Sequence, residues 1–325
     1  MRFALSDDQL SFRDAVRDLL AKECTPAVVR TAWAPPPDQL DRGVWQSLDA
    51  MGVVGLLVPE ADGGMGLDET FLVPVLEECG RAALPHPMVE TAMVAAPLLG
   101  VDSGMVAVCW SDRWAPYAMV ADQILVRAGN QLWLVPAEQA GRAGLTTVDR
   151  SRAVAELWWN PAEDPHGQLV TDDPATVALA FDRGALGTAA VLVGLGQAML
   201  DITVGYVTQR QQFGVPIGTF QAVKHHLADA ALALEFARPA VWRAAWSLAH
   251  DEPTRGRDVS MAKAMASDAA ELVGRRALQC HGAIGYTVEA DLHLFMKRAW
   301  ALARAWGDSA HHTDRVASAL EANRR

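Results

Sequence analysis

The chain has no basic excess: among 325 residues, 28 Lys and Arg stand against 39 Asp and Glu, a net charge of −11. A nucleic-acid groove normally carries the opposite balance, so no nucleic-acid partner is expected. Cysteine is scarce: Cys24, Cys79, Cys109 and Cys280 lie far apart with no Cys-x-x-Cys pair, which excludes a zinc knuckle and a disulfide framework. No uninterrupted apolar run reaches the ~18 residues that span a bilayer. The first residues, MRFALSDDQLSF, are charged and lack an apolar signal core. Together these absences predict a reduced, cytoplasmic protein without a membrane partner.

What the chain does have is apolar mass: 51% of it is hydrophobic and 21% charged, a globular composition. A chain of ~300 residues buries about three-quarters of its unfolded surface, so the core needs no covalent staples. At about twice the ~150-residue prior for one domain, two or three units are expected. Residues 1–104 read as helical. Ser6, Asp7 and Asp8 make an acidic, capped start for a helix carrying Leu10, Phe12, Ala15, Leu19 and Leu20. A proline-rich joint (APPPDQLDRG), a short helix around Trp45 and Leu48, an extended apolar piece closed by Pro59, a glycine loop and a helix over residues 69–83 follow. Over 105–172 the period shortens to β-type runs (MVAVCW, DQILVRAGNQLWLVP, AVAELWWN), with a hairpin turn at Ala128-Gly129-Asn130. Some sixty residues hold a small barrel or sandwich and little more. From 173 to 325 helical patterns return, over 175–210, 220–249, 259–280 and 292–305.

The most specific segment is YVTQRQQFGVPIGTFQAVKHHLADA, Tyr206 to Ala230. A helix ends near Arg210, a Gly-Val-Pro-Ile-Gly loop follows, and a new helix opens at Thr219. Arg210 and Gln212 are polar heads at a turn, with Phe213 beside them. Arg210 either closes the loop by pairing with an acid or forks onto a phosphate or carboxylate.

This segment resembles the Arg-x-Gln-Phe-Gly-x-Pro-Ile-x-x-Phe-Gln pattern of the acyl-CoA dehydrogenase family. QCHGAIGYTVEADLHLFMKRA (Gln279 to Ala299) resembles a second family pattern, and LVPEADGGMGL resembles its Pro-Glu-x-x-Gly-Gly-x-Gly loop. The three matches stand in family order across nearly the whole chain. The resemblance implies a mainly α fold with a small β domain: an N-terminal helical domain, a middle β barrel or sandwich and a C-terminal four-helix bundle. It also implies FAD shared across a subunit interface. Arg210, Gln212 and Phe213 match the residues that reach a neighbour's flavin. So do Gln279 and Gly282, with Ala283 where the family usually has glycine.

Such a site needs a carboxylate that removes the α-proton of an acyl thioester while the β-hydride goes to the flavin. At the family's commoner position for it stands Trp306, in RAWGDSAHH, and Asp308 replaces the family's flavin-binding threonine. An aspartate ~4 Å from a phosphate is repelled by ~4 kcal/mol at an effective dielectric near 20. The alternative position, about 11 residues before the glutamine, gives Asp268. At ~100° per residue it falls within about 20° of Gln279, on a stripe with Met261, Met265 and Leu272. Asp268 is either the base or a helix acid that pairs with Lys263 or Arg275 or stays solvated.

The middle unit lacks the family's Thr-Glu/Gln-x-x-x-Gly-Ser stretch. Trp110 or Trp114 either stacks on a flavin or serves core or interface packing, in a chain with 11 tryptophans. The pairs His225-His226 and His311-His312 diverge by about 100° on a helix and do not share one metal.

Residues that would serve a neighbour's flavin survive, while those that would hold the chain's own are missing. The expectation is therefore one subunit of a heteromeric, α2β2 acyl-CoA dehydrogenase, completing a partner's FAD site. Its implied substrate is a bulky, sterol-derived acyl-CoA, with electron-transfer flavoprotein as acceptor. Three alternatives stand: a homo-oligomeric dehydrogenase using Asp268, a flavin oxidase or monooxygenase of the same fold, and a structural subunit without flavin.

Overall fold

The computed structural model describes residues 4–34, 40–111, 113–161 and 164–322. Half of the proline-rich joint, 35–39, lies outside them. Helix α1 (Asp7–Glu23) starts at the expected cap. Gln9 N–H donates to Ser6 Oγ at 3.2 Å and Ser6 N–H to the Gln9 side chain at 2.8 Å, a reciprocal box. Then come α2 (Pro26–Thr31), α3 (Gly43–Ala50) and α4 (Glu69–Arg81). The apolar piece before Pro59 is not extended. It folds as turns, because the glycine loop doubles back onto its carbonyls: Met65 N–H to Gly55, Gly66 N–H to Val58, Leu67 N–H to Leu56. A π-helical segment, Val89–Ala95, runs into α5 (Ala96–Leu99).

The middle unit is a sandwich. One sheet joins β1 (Val106–Cys109), β3 (Gln123–Ala128), β4 (Gln131–Pro136) and β7 (Gln168–Thr171) in the order β1-β3-β4-β7; the other joins β2 (Trp114–Ala115), β6 (Ala155–Trp158) and β5 (Gly141–Gly144). β1 and β3 are parallel, and β3 and β4 form the expected hairpin with Ala128 opposite Gln131. Strand alternation divides the side chains. Ala107, Ile124, Val126 and Val135 fill the space between the sheets, while Val106, Val108, Leu125 and Leu132 join the helical core.

The bundle consists of α6 (Pro174–Gln209), α7 (Gln221–Ala249), α8 (Arg255–His281), α9 (Leu292–Arg304) and a separate last helix, α10 (Ser309–Ala322). Two short strands, β8 (Gln211–Gln212) and β9 (Val215–Pro216), pair between α6 and α7. α6 is long and apolar enough to cross a membrane, yet 78% of its most apolar stretch is buried inside the protein. Its backbone meets that of α4. A Cβ added at Gly194 would lie 1.9 Å from the Glu77 carbonyl, and one at Gly80 would lie 2.2 Å from that of Val191. Arg298, buried on α9, ties three parts together: Nε donates to Asp149 at 2.9 Å, Nη1 to the Ala83 and Leu84 carbonyls, and Nη2 to Ser151.

Candidate functional site

The sequence-predicted residues gather at one exposed edge. α6 ends at Gln209, and Arg210 turns into extended backbone, its carbonyl accepting from Ile217 N–H at 2.8 Å. The β8–β9 hairpin closes through Phe213 and Gly214 at φ +52° and +80°. Positive φ at both central residues is the type I′ pattern, which suits glycine or asparagine. A phenylalanine there is held under local strain, a cost of order 1 kcal/mol or more. The residue is 93% exposed, and its one ring contact among the described residues is Phe220, edge-on at 6.2 Å between centroids. Arg210 and Gln212 are exposed too, and the Arg210 guanidinium makes no ion pair or hydrogen bond among the described residues.

The second motif ends α8 beside the first. Tyr206, one turn before Arg210, stacks on His281 at 4.4 Å, and its hydroxyl donates to the His281 carbonyl at 3.4 Å, across 75 positions of sequence. Gln279, Gly282 and Ala283 are exposed there. Gly282 takes φ +64° with nothing within 4 Å of where a Cβ would stand, so the turn needs glycine for its backbone and leaves open space beside it. The His225-His226 pair lies along α7, where His226 Nδ1 meets Arg276 at 3.1 Å.

The chain's own cleft, between the sandwich and the bundle, is a cavity of about 580 Å³. Trp306 enters it at φ +56°, its ring 5.1 Å from Trp110 and 6.2 Å from Phe181. A Cβ at Gly184 would lie 2.5 Å from the Trp306 indole, so α6 has made room for it. Phe181 stacks on His312, whose Nε2–H donates to the Trp306 carbonyl at 2.8 Å. Burial pushes His312 down to about 4, so it is neutral at neutral pH. His311 and His312 thus belong to an aromatic cluster. Trp110 is half-buried in it, whereas Trp114 stands 58% exposed at the rim.

Behind Trp306, Lys263 is fully buried. Its Nζ donates to Ser267 Oγ at 3.0 Å and to the carbonyls of Ala303 at 3.2 Å and Gly307 at 3.0 Å, and burial pushes it down to about 7. Asp308 caps α10, accepting from His311 N–H at 2.9 Å, a bond that holds its carboxyl below the usual range.

Asp268 is not on a buried apolar stripe. α8 buries Val259, Ala262, Ala266, Ala270, Val273 and Ala277, which turns Asp268 and Met261 outward. Neither suggested partner forms an ion pair with it: Arg275 lies 3.6 Å from Glu271, and Lys263 Nζ bonds elsewhere, feeling Asp268 only as a nearby charge. Asp268 is a solvated helix acid in this chain.

Two buried charges that line the cleft escaped the sequence reading. Glu90, in the π-helical segment, and Arg152 both line the cleft at 3.9 Å separation. Burial pushes the Glu90 carboxyl up, against the pull of Arg152. The available signal was a lone acid in the apolar run PMVETAMVAAP.

Two helical parts around a small β sandwich, with the motif-bearing ends of α6 and α8 at one edge, define the acyl-CoA dehydrogenase fold. Residues 6–101 match the family profile "Acyl-CoA dehydrogenase, N-terminal domain" and 175–321 match "Acyl-CoA dehydrogenase, C-terminal domain". The chain is 32% identical to acyl-CoA dehydrogenase IpdE2 of Mycobacterium tuberculosis, over 90% of this chain and 91% of that one. It is similar in fold to a chain of the ChsE4-ChsE5 complex of the same organism, with TM-score 0.87 and 23% identity over 99% of each chain. A chain of the Tcur3481-Tcur3483 steroid ACAD G363A variant gives TM-score 0.85 and 24% identity over 98% of each. The chain belongs to the acyl-CoA dehydrogenase family.

Proposed function

We propose that this chain is one subunit of a heteromeric, FAD-dependent acyl-CoA dehydrogenase, and that its exposed edge completes the flavin site of a partner that supplies the base. The observation that carries this reading is Phe213. A phenylalanine held at positive φ and 93% exposed is costly in a lone chain and sensible against a partner's ligand. The edge fits a dinucleotide. The uncommitted Arg210 guanidinium suits a diphosphate, Gln212 and Gln279 offer amide groups, and the open space at Gly282 allows close backbone approach. The chain's own cleft does not fit it: Trp306 stands where the family base would be, and the Asp308 carboxylate already holds the α10 N-terminus that a phosphate would use.

When bound, FAD would accept the β-hydride of an acyl-CoA as a base takes the α-proton. This chain's part is to hold the dinucleotide: Arg210 by charge-assisted bonds, Phe213 by ring contact, and Gln279 with Gly282 and Ala283 along the facing turn. A bulky, sterol-derived acyl group is the proposed substrate, by analogy with the steroid ACAD among the structural neighbours. Electron-transfer flavoprotein is the proposed acceptor and the cytoplasm the proposed compartment.

The test is the visible spectrum of the chain purified alone and co-expressed with a candidate partner subunit. The expected result is a colourless lone chain and a yellow complex. Arg210→Ala in that complex should weaken flavin retention tenfold to a hundredfold, as loss of ~1.5–3 kcal/mol of charge-assisted bonding implies. About one flavin per lone chain would overturn the reading in favour of a self-sufficient enzyme.

A further inference from the structure

A groove of about 590 Å³ opens beside the flavin edge and shares no lining residue with the cleft around Trp306. Ala198, Ile202 and Tyr206, a stripe at four-residue spacing on α6, give it an apolar floor together with Ile284 and Phe295. It does not end there. Pro26, Arg81 and Phe295 also line an adjoining cavity of about 360 Å³, continued by Leu20 and Ala21 of α1. Two adjoining cavities make a trough, a shape that suits a stretch of polypeptide better than one compact molecule. Its charge is one-sided: Asp201, Glu289 and Asp291 stand against Arg81 alone. Arg81 holds Asp201 at 2.9 Å and Arg30 holds Asp291 at 2.7 Å, while the Glu289 carboxylate makes no ion pair or side-chain hydrogen bond among the described residues. Arg30 also pins the backbone that carries Glu289, donating to the Val288 carbonyl at 2.8 Å and to that of Glu289 at 3.3 Å. On this pinned loop Tyr286 is 79% and Val288 67% exposed. Large side chains that stand out from a held loop mark a contact surface.

We propose that this trough receives a segment of the flavin-bearing partner subunit, with apolar side chains on the α6 floor and a lysine or arginine reaching Glu289. The proposal rests on the shared-flavin reading above and adds to it where the partner is gripped. Two observations choose this occupant. Tyr206 and His281, whose stack joins the two flavin motifs, also line the trough, so a subunit that lies over Arg210 and Gly282 lies along it. A stable subunit pair buries about 800 Å² on each side, far more than the β8–β9 turn and the end of α8 supply, so the contact has to extend past the flavin edge. The sign of the charge then sets the chemistry. An acidic segment would meet Glu289 and Asp291 as like charges, and a wholly apolar one would cover Glu289 without a partner.

The test is assembly of the full chain with its co-expressed partner subunit, followed by analytical ultracentrifugation, with flavin content read in parallel. Glu289→Lys should weaken assembly at least ~hundredfold and Glu289→Gln ~tenfold, as reversal and loss of one charge-assisted contact imply. Val288→Ser, which removes apolar surface and no charge, should weaken it ~fivefold. Flavin per assembled complex should stay at the parent's level in all three, because neither residue belongs to the flavin edge. Both positions are exposed, so the lone variants should unfold with the parent. Assembly of Glu289→Lys as tight as the parent's would overturn the proposal and leave the shared-flavin reading standing. A parent pair that forms no yellow complex would overturn that reading, and this proposal with it. If the variants instead abolish self-association of the lone chain while the partner still binds, the trough belongs to a second copy and the proposal falls.

Discussion

The outer edge and the inner cleft are finished in opposite ways. At the edge the key groups are exposed and little committed: a guanidinium with no partner among the described residues, a strained aromatic turn, a glycine facing open space. Around Trp306 in the cleft the groups are committed. Trp306 is wedged against Gly184, Lys263 makes three bonds, and Asp308 caps a helix. Committed groups hold a fold together, whereas uncommitted ones carry a cost that a partner or ligand can offset. The contrast supports a chain that is complete as a fold and incomplete as a site.

The largest effect expected from breaking this contrast is at Arg298. It joins α9 to Asp149 of the sandwich and to the Ala83 and Leu84 carbonyls, so it holds the cleft's two walls together and touches nothing at the edge. Arg298→Met strands a buried Asp149 and should cost about 3–5 kcal/mol in urea unfolding. A loss below 1 kcal/mol would mean that the walls are held by apolar packing alone.

Lys263 should give the next largest signal, as a pH dependence. Its folded value of about 7 lies below the ordinary 10.5, so between those limits the unfolded chain holds a proton that the folded chain does not. Stability therefore rises with pH from about 7 to 10.5, by on the order of a few kcal/mol, and Lys263 adds no slope below that window. Unfolding curves of Lys263→Met should lack this slope. An equal slope in both proteins would show that Lys263 stays an ammonium across the range, sustained by Ser267 and the two carbonyls.

How much of this was legible in the sequence also divides between the two places. The edge was readable because its residues are local: Arg210, Gln212 and Phe213 sit in one turn, and Gln279 with Gly282 in another. The Tyr206–His281 stack and hydrogen bond that join them are tertiary. The cleft was readable only in part: Trp306, Trp110 and Trp114 stood out singly, but Glu90 and Arg152 did not, because the cleft is assembled from four distant pieces. Glu90, Trp110, Arg152 and Trp306 come from a π-helical segment, a strand end, a turn and a helix end. Helical spacing correctly aligned Asp268 with Met261 but could not say which way that face turns. Small residues such as Ala262, Ala266 and Ala270 decide that, by letting α8 pack closely on its neighbours.

Phe213→Gly sharpens the contrast by moving two quantities in opposite directions. Glycine relieves the positive φ, so the lone chain should gain about 1 kcal/mol in thermal or urea unfolding. Assembly with a flavin-bearing partner should weaken, because the exposed ring is lost. A variant that gains stability and assembles as well as the parent would leave the ring without a role in the shared site.

The smallest expected change is at Asp268, and it decides between two enzymes. The carboxylate is exposed, makes no ion pair or side-chain hydrogen bond among the described residues, and is not among the residues that line the cleft containing Trp306. A surface group of that kind contributes within about 0.5 kcal/mol, so Asp268→Asn should leave the unfolding curve in place. If the partner supplies the base, dehydrogenation by the complex should be unchanged too, since the amide keeps the shape and removes only the charge. If Asp268 were the base of a self-sufficient enzyme, the same change would lower kcat by about a hundredfold to ten-thousandfold without disturbing the fold. Unchanged stability makes either result interpretable, because a fall in rate could then come only from the missing carboxylate.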